Sequence, residues 1–410
     1  MVLLVGAVDT NDTNDANHQV AAPAQEPGAA TGLAFIDTSI ENASPLWYET
    51  VDGVVRVNLL YDHEHSSPNR AAGHIHFRIH ATPGSKLTLE FKNLDNVWNS
   101  QPGSVARELK TLSISEDGRT WRQVPTDSLP NDRVQLRVEM RGPHLYIARI
   151  EPYRLSDLDR LIGSIRGHAL VKIEPIGKTV GGRDLELVHI GNPAAKYRLF
   201  VRARAHPWES GSSWVAQGLI QRLLAGDTSA KTFLETYSVS LLPLANKDGV
   251  ARGGTRFNLL GKDLNRNWDT PADPQLSPEN AALERWLESA IKAGRAPHLA
   301  VELHNDGGGR LHISRPPVPQ LERHLARMAI LEELLRSKTW FTEGSTNSAF
   351  RNSGTLGDGW LQRYGIDAVV HELNCNWIEG RKEFASARLW TEYGEKLAEV
   401  FHDYFTRVRP

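Results

Sequence analysis

Arg198-Leu-Phe-Val-Arg-Ala-Arg-Ala-His-Pro-Trp-Glu209, running on through Ser212 to Leu224, is the stretch on which the fold turns. Its opening, Arg198 to Ala203, reads as a buried strand. Its end reads as a helix, because Trp214, Val215, Leu219, Ile220 and Leu223 recur at helical spacing. The same alternation continues outward. Leu185–Ile190, Tyr237–Pro243, Leu299–Leu303 and Ala368–Leu373 read as strands. Glu279–Ala293, Pro319–Leu335 and Ala385–Phe405 read as helices. Strands interleaved with helices predict an α/β domain over residues 156–410.

Upstream the pattern differs. Val54–Leu60, His74–His80, Lys86–Phe91, Leu112–Ile114 and Val134–Met140 alternate with period two, punctuated by turn chemistry at Pro83-Gly84 and Asp117-Gly118. Such strands without long helices predict an antiparallel β-sandwich over residues 32–155. Residues 1–31, rich in Asn, Asp, Ala, Pro and Gln, read as a disordered tail. The apolar Met1–Val8 lacks a basic flank and is short for a secretory signal, unless translation starts further upstream. No run approaches the ~20 apolar residues of a membrane span. A net charge of −2 gives no electrostatic reason to expect nucleic acid. The single cysteine, Cys375, excludes an intrachain disulfide framework. That favours a cytoplasm over a periplasmic or secreted location, which a truncated signal at the N-terminus would allow.

His206-Pro-Trp-Glu209 falls where a strand gives way to a helix, so an imidazole and a carboxylate can converge on one ion. That donor chemistry suits zinc. The pattern alone occurs by chance, but two further strand ends add to it. His304 follows Leu299–Leu303 and precedes the flexible Asn305-Asp-Gly-Gly-Gly309. Glu372 lies within the apolar Ala368-Val-Val-His-Glu-Leu373, where a carboxylate is costly unless it is paired or functional. The carboxyl ends of adjacent strands are where open α/β sheets assemble sites. Asn246-Lys-Asp-Gly249, Thr255-Arg-Phe-Asn258 and Gly261-Lys-Asp-Leu-Asn-Arg-Asn-Trp268 read as one long structured loop. Its arginines suit either bidentate recognition of a chain-terminal carboxylate or an ordinary turn with surface arginines. Gly254 to Lys262 has the wrong spacing for a phosphate-binding loop, so no nucleotide site is expected.

Together, HPWE, NKDG, TRFN with GKDLNRNW, LHND and HELN resemble the M14 family of zinc carboxypeptidases, over roughly residues 155–405. Ile176–Asp184 is similar to that family's opening hairpin. Gly118–Trp121, Leu145–Ala148 and Glu151–Leu158 resemble the end of the β domain in its cytosolic carboxypeptidase branch. The resemblance implies a mixed eight-stranded sheet and one Zn²⁺ held by His206, Glu209 and His304. It implies that Asp263 orients the first histidine, that Asn265 and Arg266 hold the substrate carboxylate, and that Arg256 polarises the scissile carbonyl. Glu372 would be the catalytic base acting on a zinc-bound water. Two positions depart from the family: Phe350 stands where many relatives carry a substrate-contacting tyrosine, and Gly357 where the specificity pocket is shaped, leaving room there. Arg310 and Arg315 are candidates to line that pocket and favour an acidic C-terminal residue.

Competing signals are weaker. His74, His76 and His80 share a strand face and invite a second metal, but Arg78 on that face opposes a cation, so a packed or solvated face is expected. Trp98 and Trp121 suit core or interface positions better than a sugar platform. Cys375 is expected to be buried and inert. The expected function is hydrolysis of C-terminal residues from peptides or proteins. The alternatives are a zinc amidase acting on cell-wall peptides or a catalytically silent binding protein.

Overall fold

The alternating segments of the N-terminal half form two facing five-stranded sheets in a computed structural model that describes residues 31–346 and 354–408. The reading of residues 1–30 as a tail, and Phe350, lie outside the described residues. One sheet runs Leu33–Asp37, His76–Ala81, His144–Ala148, Thr111–Ser115, Arg122–Pro125. The other runs Asp127–Leu129, Arg133–Glu139, Lys86–Lys92, Val54–Leu59, Leu46–Val51. Inward residues such as Phe77, Ile79, Leu89, Phe91, Leu136 and Ile147 make one dry core between them. Pairing is antiparallel except between Val54–Leu59 and Lys86–Lys92, which run parallel. The reason is topological: between those two strands the chain crosses to the opposite sheet as His76–Ala81 and returns.

A small four-stranded sheet made of Asp62–His63, Arg70–Ala71, Asp95–Trp98 and Gln101–Ser104 has no counterpart in the sequence reading. Its strands are too short to show a period. It lies against the α/β domain, where the Asp62 carboxylate accepts the backbone N–H groups of Thr255, Arg256 and Phe257 at 3.2, 2.8 and 2.9 Å.

From Leu155–Ile165 onward the chain builds the α/β layers. The eight-stranded mixed sheet runs Val171–Lys178, Asp184–Ile190, Tyr237–Leu242, Tyr197–Ala203, Leu299–Asp306, Asp367–Asn374, Leu311–Ile313, Ser345–Thr346. Its four central strands are parallel. Helices cover both faces, which explains the nearly continuous apolar runs of those strands. Leu199, Val201 and Leu303 face one core, shared with Ser210–Leu223, Leu321–Lys338 and Ala387–Arg407. Phe200 and Ala300 face the other, with Leu283, Leu287 and Trp360 from Pro278–Lys292 and Leu356–Tyr364. The carboxyl ends of the parallel strands all open on one side. The long loop from Asn246 to Trp268 and the small β-sheet meet there.

Candidate metal centre and cleft

The chain leaves the Tyr197–Ala203 strand through Arg204, whose φ of 63° is rare for a residue with a side chain. Its buried guanidinium donates from Nε to Pro207 O at 2.7 Å and holds the turn. That turn sets His206 beside Glu209, the residue that caps the Ser210–Leu223 helix. His304 sits in the next strand and Glu372 in the one after, directly across the parallel register from His304. All four are buried.

The Glu209 carboxylate lies between the two imidazoles. One oxygen is 2.8 Å from His206 Nδ1 and the other 2.7 Å from His304 Nδ1. The ring centroids are 4.7 Å apart. Ligand atoms of His206, Glu209 and His304 lie within 4.8 Å of one another, a closed cluster of two nitrogens and a carboxylate that suits zinc. The outward nitrogens are also engaged: His206 Nε2 is 3.1 Å from Asp263 Oδ1, and His304 Nε2 is 3.0 Å from Asn265 Nδ2 and 3.5 Å from Glu302 Oε1. Carboxylates behind metal-facing histidines fix ring orientation and basicity. Burial opposes ionisation of Glu209, but the facing His206 and His304 hold it well below the usual carboxylate range. Burial works the same way on Asp263, and Arg256, His206 and Arg266 overcome it. These residues fit a divalent cation.

Arg256 donates from Nε to Asp263 Oδ2 at 2.8 Å. Arg256 and Arg266 both lie over the Trp98 ring, at 4.0 and 4.9 Å from its centroid. Asn265 Oδ1 accepts from Leu356 N at 2.9 Å, tying the loop to the Leu356–Tyr364 helix. These groups line a cleft of about 250 Å³ with His206, Glu209, Glu372 and, from the β domain, Arg70, Trp98 and Arg149. Glu372 is pushed well above the usual carboxylate range by burial and by the neighbouring Asp306.

Three expectations change. Gly357 is not open space: a Cβ there would meet Ser314 Oγ at 2.6 Å. Arg310 is exposed and Arg315 half-buried, and neither borders the cleft. The β domain contributes Arg70 and Arg149 to the lining instead, ion-paired with Asp95 and Glu108. The sequence reading also passed over Glu302, although strand alternation places it on the same face as His304. Asp62 and Trp98 had no local signal as site residues. The histidine face resolves as packing. His74 and His76 both approach Asn42 O, at 2.9 and 3.2 Å, and His80 stacks on Phe35. Cys375 is buried, and burial pushes its thiol up to about 12.

Fold and donor set define a class: α/β proteins with a metal-ligand type cluster at the carboxyl ends of a mixed sheet. Residues 165–302 match the Peptidase_M14 family, zinc carboxypeptidase. An uncharacterized protein of Zymomonas mobilis is 29% identical over 167 residues, covering 40% of this chain and 43% of that one. Cytosolic carboxypeptidase 1 of Danio rerio is 29% identical over 175 residues, covering 39% of this chain and 15% of that one. The chain thus spans less than half the length of these curated relatives. A metallo-carboxypeptidase from Burkholderia cenocepacia agrees in fold, with a TM-score of 0.80 over 91% of this chain and 99% of that chain at 18% identity.

Proposed function

We propose that this protein is a zinc metallocarboxypeptidase that removes C-terminal residues from peptides or proteins. The observation that carries the reading is the cleft itself. Two histidines and Glu209 converge within 4.8 Å, with Glu372 on the neighbouring strand and two guanidiniums beside them. When bound, zinc supplies a Lewis acid that polarises the scissile carbonyl and lowers the pKa of water.

The chain's own residues supply the rest. Arg266, with Asn265 beside it, receives the substrate's terminal carboxylate, so only the last peptide bond reaches the centre. Arg256, aimed by Asp263, stabilises the negative charge that develops on the carbonyl oxygen. Glu372 takes a proton from the attacking water as its oxygen bonds to the carbonyl carbon. It gives that proton to the amide nitrogen as the C–N bond breaks. The apolar strand around Glu372 excludes bulk water and so keeps the carboxylate basic enough for this exchange.

The test is hydrolysis of peptides differing only in the last residue, with and without a chelator. Stepwise C-terminal release is expected, lost with the chelator and restored by zinc. Glu372→Gln is expected to lower kcat by about 10²–10⁴-fold with zinc content unchanged. A zinc-loaded protein that releases nothing from any free C-terminus defeats the proposal in favour of an amidase or a silent binding protein.

A further inference from the structure

Outside the metal centre, three polar side chains form a line of contacts across the edge of the eight-stranded sheet. Glu174, His189 and Ser240 lie on one face of the adjacent strands Val171–Lys178, Asp184–Ile190 and Tyr237–Leu242. His189 Nδ1 is 2.9 Å from Ser240 Oγ, and Nε2 is 3.2 Å from Glu174 Oε2. Lys172 Nζ donates to the same carboxylate oxygen at 2.8 Å. A lone pair on Nε2 would face that carboxylate, so the proton sits on Nε2 and Nδ1 is left to accept from the Ser240 hydroxyl. Burial keeps His189 below the usual imidazole range, against the pull of Glu174, so the ring is neutral at pH 7. All three side chains are half-buried and border a cavity of about 550 Å³, the size of a small-molecule site. Leu170, Pro193, Trp286 and Pro297 give it apolar walls. Arg198 and Ser238, at the amino ends of their strands, border it as well, whereas the metal-ligand cluster lies at the carboxyl ends. The two sites therefore open at opposite ends of the sheet.

We propose that Ser240, His189 and Glu174 form a second hydrolytic site, independent of metal, for small activated acyl esters, with Ser240 as the nucleophile. A hydroxyl, an imidazole that accepts its proton and a carboxylate that orients the imidazole are the parts of a covalent acyl-transfer site. Ser240 Oγ bonds to the acyl carbon as His189 Nδ1 takes its proton. The bond from that carbon to the leaving oxygen or sulfur breaks, and His189 gives the proton to the leaving group. Water then attacks acyl-Ser240 with His189 as base, which releases the carboxylic acid and restores the hydroxyl. The substrate class follows from the surroundings of Ser240. It sits inside the sheet between His189 and Phe200, so its N–H belongs to the ladder and cannot hold the acyl oxygen. Positive charge comes from Arg198, in register with Ser238. Esters and thioesters with good leaving groups need the least stabilisation of that oxygen, and a peptide bond needs far more. The apolar walls suit an acyl chain without a charged end.

The experiment treats the full chain, with and without a chelator, with a fluorophosphonate probe and locates the adduct by peptide mass spectrometry. Hydrolysis of p-nitrophenyl butyrate is followed in parallel. The adduct is expected on Ser240, and both reactions are expected to survive the chelator. Ser240→Ala should abolish the label, and His189→Gln should slow both reactions by at least about 100-fold. Glu174 acts through His189 as a positioning residue, so Glu174→Gln should slow labelling and Glu174→Asp should restore part of it. Urea unfolding midpoints report that each variant is folded. No adduct, an adduct only on another residue, or ester hydrolysis that Ser240→Ala leaves unchanged overturns the inference. Ester hydrolysis that disappears with the chelator overturns it as well, and assigns that reaction to the metal centre.

Discussion

Asp263 is fully buried and reaches three groups at once: His206 through Oδ1, the backbone N–H of Asn265 through the same oxygen at 2.9 Å, and Arg256 through Oδ2. It therefore sets the His206 imidazole and the Arg256 guanidinium with one carboxylate. Asp263→Asn keeps the shape but removes the charge and one acceptor. Zinc affinity is expected to fall about 10–100-fold, measured by competition with a chromogenic chelator. A separate fall in kcat should remain at saturating zinc, because Arg256 loses its anchor. Unchanged affinity would show that Asp263 acts on Arg256 alone. Single residues were legible where chemistry made them conspicuous: a carboxylate in an apolar strand at Glu372, a histidine at a strand end at His304. Glu302 is as buried as either, yet an acid paired with Arg202 at 2.8 Å reads the same in sequence as any half-exposed strand residue.

Among elements, the Asp95–Trp98 and Gln101–Ser104 hairpin matters most to the cleft, because it carries Trp98 onto Arg256 and Arg266. A guanidinium over an indole face is worth about 0.5–1 kcal/mol when exposed and ~2 when desolvated. Trp98→Ala is thus expected to lower kcat/KM by roughly 2- to 30-fold at 1.4 kcal/mol per tenfold. KM should rise through Arg266 and kcat should fall through Arg256. Trp98→Phe should restore part of both, and zinc content should not move. If the alanine variant matches wild type in steady-state kinetics, the stacking is incidental. The long strands and helices of the α/β domain could be read because each carries several periods of its pattern. The hairpin could not, since four residues hold no periodicity and Pro102 argues against a strand. Its two strands pair chiefly with each other, and the Arg70–Val97 bridge joins them to the rest of the small sheet.

In the whole molecule the β domain and the α/β domain share a seam rather than a tether. Asn42 Nδ2 donates to Val250 O at 2.8 Å, and His74 N lies 3.3 Å from Thr255 Oγ1. Gly253, at φ 66°, has no room for a Cβ against the carbonyl of Ala43, and at Gly261 a Cβ would meet His63 O and His65 N at 2.8 Å. Gly261 falls in the stretch read as a structured loop, but the backbone it presses against was not legible in sequence. His74 and His76 are buried at this seam. Burial lowers His74 to about 4 and His76 to about 3, from an ordinary 6.5. The folded form therefore binds fewer protons than the unfolded form between pH 6.5 and about 4, so their contribution is complete above 6.5 and is lost as pH falls. Each should remove about 2 kcal/mol between pH 7 and pH 5 at 1.36 kcal/mol per unit, less where the two protonations oppose each other. Urea unfolding midpoints are expected to fall over that range. In His74→Gln/His76→Gln the pH dependence should flatten, even if the variant is less stable at pH 7. A variant that keeps the full slope would assign the acid sensitivity to other buried histidines, such as His371, and leave the seam indifferent to pH in this range.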